Sequence, residues 1–236
     1  MSQPKNLTEG NILSSLMGFA LPVLAALFVQ TMYGAGDMMI VGRFSQASEV
    51  SAVSTGSWIM QTITIAIVGL SMGTTILLGR RIGEKQPEEA GRVAGAGIWL
   101  FAWIGVVVTV VMQFLAVPAA GWMRAPMEAF DSTASYVRIC SAGAVFIVAY
   151  NVMGSILRGL GNSRIPLISV SIACLVNIAG DLLLVGALGM ASAGAAIATV
   201  FAQVVSVVLS FAIIRKQELP FVFDRKGIRC NRTLVR

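Results

Sequence analysis

Long stretches without a single charged residue constrain this chain more than any other feature. Residues 10–36, 50–79, 93–123 and 139–157 contain no Asp, Glu, Lys or Arg, and residues 165–214 contain only Asp181. About 20 apolar residues cross the hydrocarbon core of a bilayer as a helix. The stretch 165–214 is therefore too long for one crossing and must fold as a hairpin. Its expected turn is Gly186-Ala187-Leu188-Gly189, where two glycines punctuate the pattern.

These runs predict six helices over roughly 13–40, 52–79, 93–118, 134–157, 165–186 and 190–214. The fold class is all-α: a polytopic membrane helix bundle with six transmembrane helices. It divides into a short cytoplasmic N-terminus (1–12), a six-helix lobe (13–215) and a cytoplasmic tail (216–236). Only 12% of the residues are charged, against roughly 25% in soluble domains. A net charge of +6 would suggest nucleic acid in a soluble protein. Here the basic residues lie in loops and the tail, where they set orientation, so nucleic acid is not an expected partner.

With the N-terminus inside, the cytoplasmic pieces hold Lys5; Arg80, Arg81, Lys85 and Arg92; Arg158 and Arg164; and seven basic residues from Arg215 to Arg236. Of the 17 basic residues only Arg43, Arg124 and Arg138 fall outside. That asymmetry places both termini in the cytoplasm of a multi-pass protein of the inner (plasma) membrane. No secretory signal peptide is expected: the first apolar run is too long for an h-region and no cleavage signal follows it. Cys140, Cys174 and Cys230 show no metal-binding spacing, and the two inside spans read as small packing residues.

Against that background two acids stand out. Asp37 and Asp181 lie inside spans, where a charge costs about 2.5–3.5 kcal/mol on insertion scales and marks ion or substrate pathways. The first and fifth helices both run outward. Asp37 lies six residues before Arg43 and Asp181 five before Gly186. At 1.5 Å per residue both sit about 7–10 Å below the outer end of their helix. Thr199 lies about as far beyond the hairpin turn as Asp181 lies before it. Asn177, four residues before Asp181, shares its face. Gln30 and Tyr33, seven and four residues before Asp37, extend that face inward.

One outer-leaflet cluster is thus allowed, with carboxylates from Asp37 and Asp181, an amide from Asn177 and a hydroxyl from Thr199. These oxygens suit a proton or a hard monovalent cation such as Na+. Burial disfavours an ionised carboxylate and a second one nearby disfavours it further, so the pair is expected to exchange protons as a unit. With no histidine in the chain, carboxylates are the only plausible proton carriers. The competing reading is structural: Asp181 pairs with a polar neighbour and Asp37 reaches the outer interface. The shared depth argues against it.

Other features carry less. Pro22 lies mid-span and removes the hydrogen bond to Gly18, so the first helix can kink there. Gly69 to Gly73 and Gly79 to Gly83 have G-x-x-x-G spacing, read as close packing inside the bundle. Trp58, Trp99, Trp103 and Trp122 include interfacial anchors. Asn151 sits deeper, towards the cytoplasm, with a routine interhelical hydrogen bond as its default. The segment RRIGEKQPEEAGR (80–92) reads as a solvated connection. No P-loop occurs, so ATP-driven transport is not supported and no enzyme activity or cofactor is expected.

Three segments resemble the N-terminal half of a multidrug and toxic compound extrusion (MATE) transporter, of the MOP flippase superfamily. They are PVLAALFVQTMYGAGDMMIVG (22–42), GLSMGTTILLGRRIG (69–83) and LRGLGNSRIPLISVSIACLVNIAGDLLLVGALGMASAGAAIATVFAQ (157–203). The resemblance implies antiport of protons or sodium ions against small organic, often cationic, compounds by two six-helix lobes around a cavity. It also implies a cation site at Asp37, Asn177, Asp181 and Thr199. Gln30, Tyr33 and Asn151 match polar positions lining the same lobe, and Pro22 matches a proline linked to bending of the first helix.

The family has twice as many spans, and the tail KQELPFVFDRKGIRCNRTLVR (216–236) resembles the start of an inter-lobe linker. A truncated product, a half-transporter that pairs with a second lobe or with itself, and a domain awaiting its partner all fit. Two other functions stay open. One is a non-transporting membrane fragment. The other is a lipid-linked sugar flippase, which would favour mid-span basic residues that the sequence does not place.

Overall fold

The first three uncharged runs become single long helices, while 139–157 and 165–214 are each divided between two. The computed structural model describes residues 12–215; the expected terminal segments 1–12 and 216–236 therefore lie almost wholly outside the described residues. The helices are α1 (Ile12–Phe44), α2 (Ala47–Gly83), α3 (Pro87–Trp122), α4 (Phe130–Ala142), α5 (Ala144–Gly159), α6 (Arg164–Asp181) and α7 (Ala191–Arg215). A 3-10 turn at Met127–Ala129 precedes α4, and α6 continues as one π-helical turn, Leu182–Ala187. Among the described residues five helices are individually long and apolar enough to span a membrane, and the bent α4–α5 pair meets the same test taken together, which gives five to six candidate spans.

The connection expected over 80–92 shrinks to Glu84, Lys85 and Gln86, because α2 runs through Gly83 and α3 starts at Pro87. Proline suits a first helical position, where its missing N–H would have no partner. Glu88 and Glu89 in the first turn of α3, with Arg80 and Arg81 in the last turn of α2, match the two helix dipoles. Hydrogen bonds from Arg80, then Arg81, hold the exposed Glu84 carboxyl below its ordinary pKa. The hairpin turn lies where the glycines place it: Gly189 takes φ +66°, a conformation side chains resist.

The fourth expected helix, 134–157, is corrected to two. α4 and α5 meet at Gly143 with a bend of 53°. A Cβ at Gly143 would lie 2.6 Å from Val200 Cγ1 and 3.1 Å from Val200 Cβ, so glycine lets the bend nestle against α7. A single sequence does not show that Val200 stands opposite. Gly143→Ala is expected to cost about 1–3 kcal/mol of overpacking, read as an earlier thermal transition of the purified lobe.

Call the end of the bundle where α1 finishes the far end, and the end where α7 finishes the near end. Val41, Val53, Met60, Val137 and Val185 belong to a far-end apolar cluster, and Leu78, Val93, Phe101, Val152 and Ile156 to a near-end one. Lipid supplies no hydrophobic drive between helices, so small residues that let backbones approach matter more. The buried face of α7 is made of them: Ser192, Gly194, Ala195, Ala196, Ala198, Ala202, Ser206 and Ser210.

Polar ties add direction. Ser155 donates to Ser71 (2.8 Å) and Ser210 to Ser169 (2.9 Å). Glu49, at the far end of α2, accepts from Ser132 Oγ (2.8 Å) and from the Ser192 backbone N–H (3.1 Å), holding three helix starts together. The glycine pattern of α2 is only partly used. Gly79 approaches the Gly159 carbonyl, whereas Gly69, Gly73 and Gly83 face open space, so their expected packing role inside the bundle is corrected.

Among the described residues helix α1 packs mainly on α6, with α2 and α7 beside it, and its backbone makes no close approach to α3, α4 or α5. Pro22 lies within it, and the helix stays continuous from Ile12 to Phe44. Its first half leaves Leu16, Leu21, Leu24 and Phe28 exposed.

Candidate cation site

Three helices converge on the acids because small residues beside them remove the steric bulk. A Cβ at Gly36 would touch Ile178 of α6 at 3.6 Å, and one at Gly180 would meet the Ala198 Cβ of α7 at 3.0 Å. These close approaches put Asp37, Asp181 and Thr199 on adjoining faces. Asp181 is also the last α-helical residue before the π turn, a local widening of the helix frequent at functional sites.

The four residues meet. Asp37 is 2% exposed, and Asn177 and Asp181 are 0% exposed. Thr199 Oγ1 donates to Asp37 Oδ2 at 3.3 Å, and Tyr33 OH donates to the Thr199 carbonyl at 3.2 Å. The Asp37 carboxyl has the Asp181 carboxyl and the Asn177 amide as direct side-chain neighbours. Yet Asp37 Oδ1, both Asp181 oxygens and both polar atoms of Asn177 are shut off from solvent without a well-formed hydrogen bond. Nearly every buried polar atom in a native protein has a partner, so this concentration of unpartnered atoms marks the cluster as the candidate site.

Charge sharpens the point. Among the described residues no lysine or arginine pairs with either acid. Two neighbouring buried carboxylates without a basic partner repel when both are ionised, so a bound proton or small cation would relieve the pair. No cluster of three or more His, Cys, Asp or Glu occurs among the described residues, so the donor set is not that of a multidentate transition-metal site.

The remaining sequence candidates scatter. Tyr33 joins the cluster through Thr199. Gln30 is exposed on α1. Asn151 is buried on α5, which does not touch α1, and its Nδ2 donates to the Ile147 carbonyl of its own helix at 2.7 Å.

Sequence reasoning missed Gln203. It lies one turn beyond Thr199 on the same face of α7, and its Oε1 is enclosed without a partner. Since α1 and α7 are antiparallel and Asp37 faces Thr199, Gln203 stands level with Tyr33. Spacing could have found it: Thr199, Gln203, Ser206 and Ser210 form one helical stripe. Arg158 also departs from its reading as a loop residue. It is half-buried in the last turn of α5 and donates back to Ser155 Oγ at 3.1 Å.

Comparison with known proteins points the same way for the whole fold. The family model described as MatE matches residues 22–183. The probable multidrug resistance protein YoeA of Bacillus subtilis (strain 168) is 26% identical over 222 residues, covering 92% of this chain and 48% of that protein. A MATE crystal structure in a bent conformation superposes with a TM-score of 0.91 at 26% identity, over 100% of this chain and 52% of that one. A MOP superfamily transporter from Pyrococcus furiosus, described as having a binding pocket of reverse polarity that suggests a different function, gives 0.89 at 26% identity, over 100% and 52%. The chain thus spans about half the length of the relatives it matches.

Proposed function

Since the chain belongs to the MATE family, we propose that it forms the cation-coupling lobe of a multidrug antiporter, with Asp37, Asn177, Asp181 and Thr199 binding the coupling H+ or Na+. The single observation that supports this reading is the sealed pair of neighbouring carboxylates, without a basic partner and rich in unbonded oxygens. Gln203 is proposed as its wall on the near-end side.

The energetics suggest how binding drives movement. A cation between Asp37 and Asp181 draws α1 onto α6 and α7, because the two carboxylates sit on different helices. Its departure leaves like charges or orphan oxygens in contact, which loosens α1. Pro22 lacks the N–H that would hold the Gly18 carbonyl, so the first half of α1 is the part free to bend. The exposure of Leu16, Leu21, Leu24 and Phe28 in that half lowers the cost.

The coupling is proposed to run inward across the plasma membrane, with the far end outside, because most basic residues then lie on the cytoplasmic side. The cargo is proposed to be small organic compounds, chiefly cations, which exchange for the coupling ion. Alternating access needs one bundle moving against another. Export therefore requires a second six-helix lobe, whether continuous with this one, supplied by another chain or by a second copy.

The test is dye efflux from vesicles containing the protein with its second lobe, under an imposed proton gradient, an imposed sodium gradient, or neither. Efflux should follow one gradient and collapse without it. Efflux of equal rate in all three conditions would remove the antiport reading.

A further inference from the structure

A second feature lies among α3, α5 and α7, of which α3 and α5 make no close backbone approach to α1. Helices α3 and α7 do not touch, and the gap between them exposes α5. The result is an apolar groove of about 320 Å³ lined by Phe101, Val148, Val152, Met153, Phe211 and Ile214 among others. Its lining on α5 extends from Val145 to Leu160, about 22 Å at 1.5 Å per residue. One leaflet contributes about half of the roughly 30 Å hydrocarbon core, so an extended acyl chain fits lengthwise.

The near-end mouth carries a charge. Phe211 is half-exposed, and the Arg215 guanidinium lies over its ring, 5.7 Å from the centroid. Among the described residues Arg215 forms no ion pair. Six further basic residues and only two acidic ones follow it in the sequence. A basic cluster directly after a membrane helix attracts anionic headgroups.

We infer that this groove is a binding site for an anionic phospholipid, its acyl chain along α5 and its phosphate on Arg215. The groove supplies length and apolarity, and the guanidinium supplies the choice of headgroup. A zwitterionic lipid could lie in the same groove but would gain less at its mouth. The second lobe is the less fitting occupant, because a fully apolar lining capped by one cation suits a lipid, and a second copy is an outcome of the test.

Trp99 and Trp103 lie next in sequence to the lining residues Ile98 and Ala102 on α3, so their fluorescence reports on lipid close to the groove. The protein carrying Trp58→Phe and Trp122→Phe is placed in nanodiscs of phosphatidylcholine. Brominated phosphatidylglycerol or brominated phosphatidylcholine is then titrated in. Phosphatidylglycerol should quench at a mole fraction roughly five-fold lower, the ratio expected for about one basic contact.

Arg215→Gln, at the exposed end of α7, should erase that ratio without unfolding the chain. Ala149→Phe, which fills the groove, should remove the high-affinity quenching phase. Equal quenching by both lipids in the parent protein would overturn the inference. So would an unchanged ratio in the Arg215→Gln variant. Crosslinked dimers whose Trp99 and Trp103 are shielded from both lipids would assign the groove to a second copy instead.

Discussion

Asp37→Asn combined with Asp181→Asn should abolish the response of this lobe to its coupling cation. A ligand that binds only the native state stabilises it by RT ln(1 + [L]/Kd), about 2.7 kcal/mol at a hundred times Kd. For a chain of this size 1 kcal/mol moves the thermal midpoint by about 2–4 °C. Raising Na+ at fixed pH, or protons at fixed Na+, should therefore lift the parent midpoint by roughly 5–10 °C. The double variant should show no such lift with either ion.

The variant should also start from a higher midpoint when no cation is supplied. Each orphaned buried polar atom costs about 1–3 kcal/mol, and an amide brings donors that a carboxylate lacks. Asp37 Oδ1 and the Asp181 oxygens are the atoms left without partners in the parent. Lost function together with gained stability is the signature of a site strained for its ligand, which a structural acid pair would not give. A double variant that keeps the full cation-dependent lift would end the coupling proposal.

The meeting of Asp37, Asp181 and Thr199 was readable from sequence because it depends on one robust quantity, the helical rise. Counting from Arg43 and from the glycine turn fixes depth within a turn, even though α1 runs on to Phe44. Depth does not fix azimuth, and there the reading thinned. Asn151 could be placed by level but not by neighbour, and its helix proved not to touch α1. Gly69 and Gly73 had the spacing of a packing face and met nothing.

The bend at Gly143 was invisible for a related reason. A glycine in an apolar run is compatible with a straight helix, and only Val200 across the interface makes it a corner. Glu49 carries no signal in the sequence alone. Its role in tying α2 to the starts of α4 and α7 depends on Ser132 and Ser192, far away in sequence. Local periodicity gave the elements and their levels, while pairwise contacts between distant residues gave the site its walls.

The packing that builds the site yields the second large effect. Gly180→Ala places a methyl 3.0 Å from the Ala198 Cβ and 3.5 Å from its Cα, and a backbone atom does not yield as a flexible side-chain tip would. The two helices must part by a few tenths of an ångström, at a typical overpacking cost of about 1–3 kcal/mol. Thr199 follows Ala198 directly and Asp181 follows Gly180, so the strain falls on the cation site itself. Its hydrogen bond from Thr199 to Asp37 is already 3.3 Å long. If the net loss at the site is about 1.4 kcal/mol, cation affinity should fall roughly ten-fold. Ala198→Gly in the same chain takes the methyl away again, so the double variant should recover most of the affinity. The coupling between the two sites, read from the four midpoints and four affinities of the cycle, should be on the order of 1–2 kcal/mol. A Gly180→Ala protein that binds the cation as tightly as the parent would show that the close α6–α7 approach is not what positions the carboxylates.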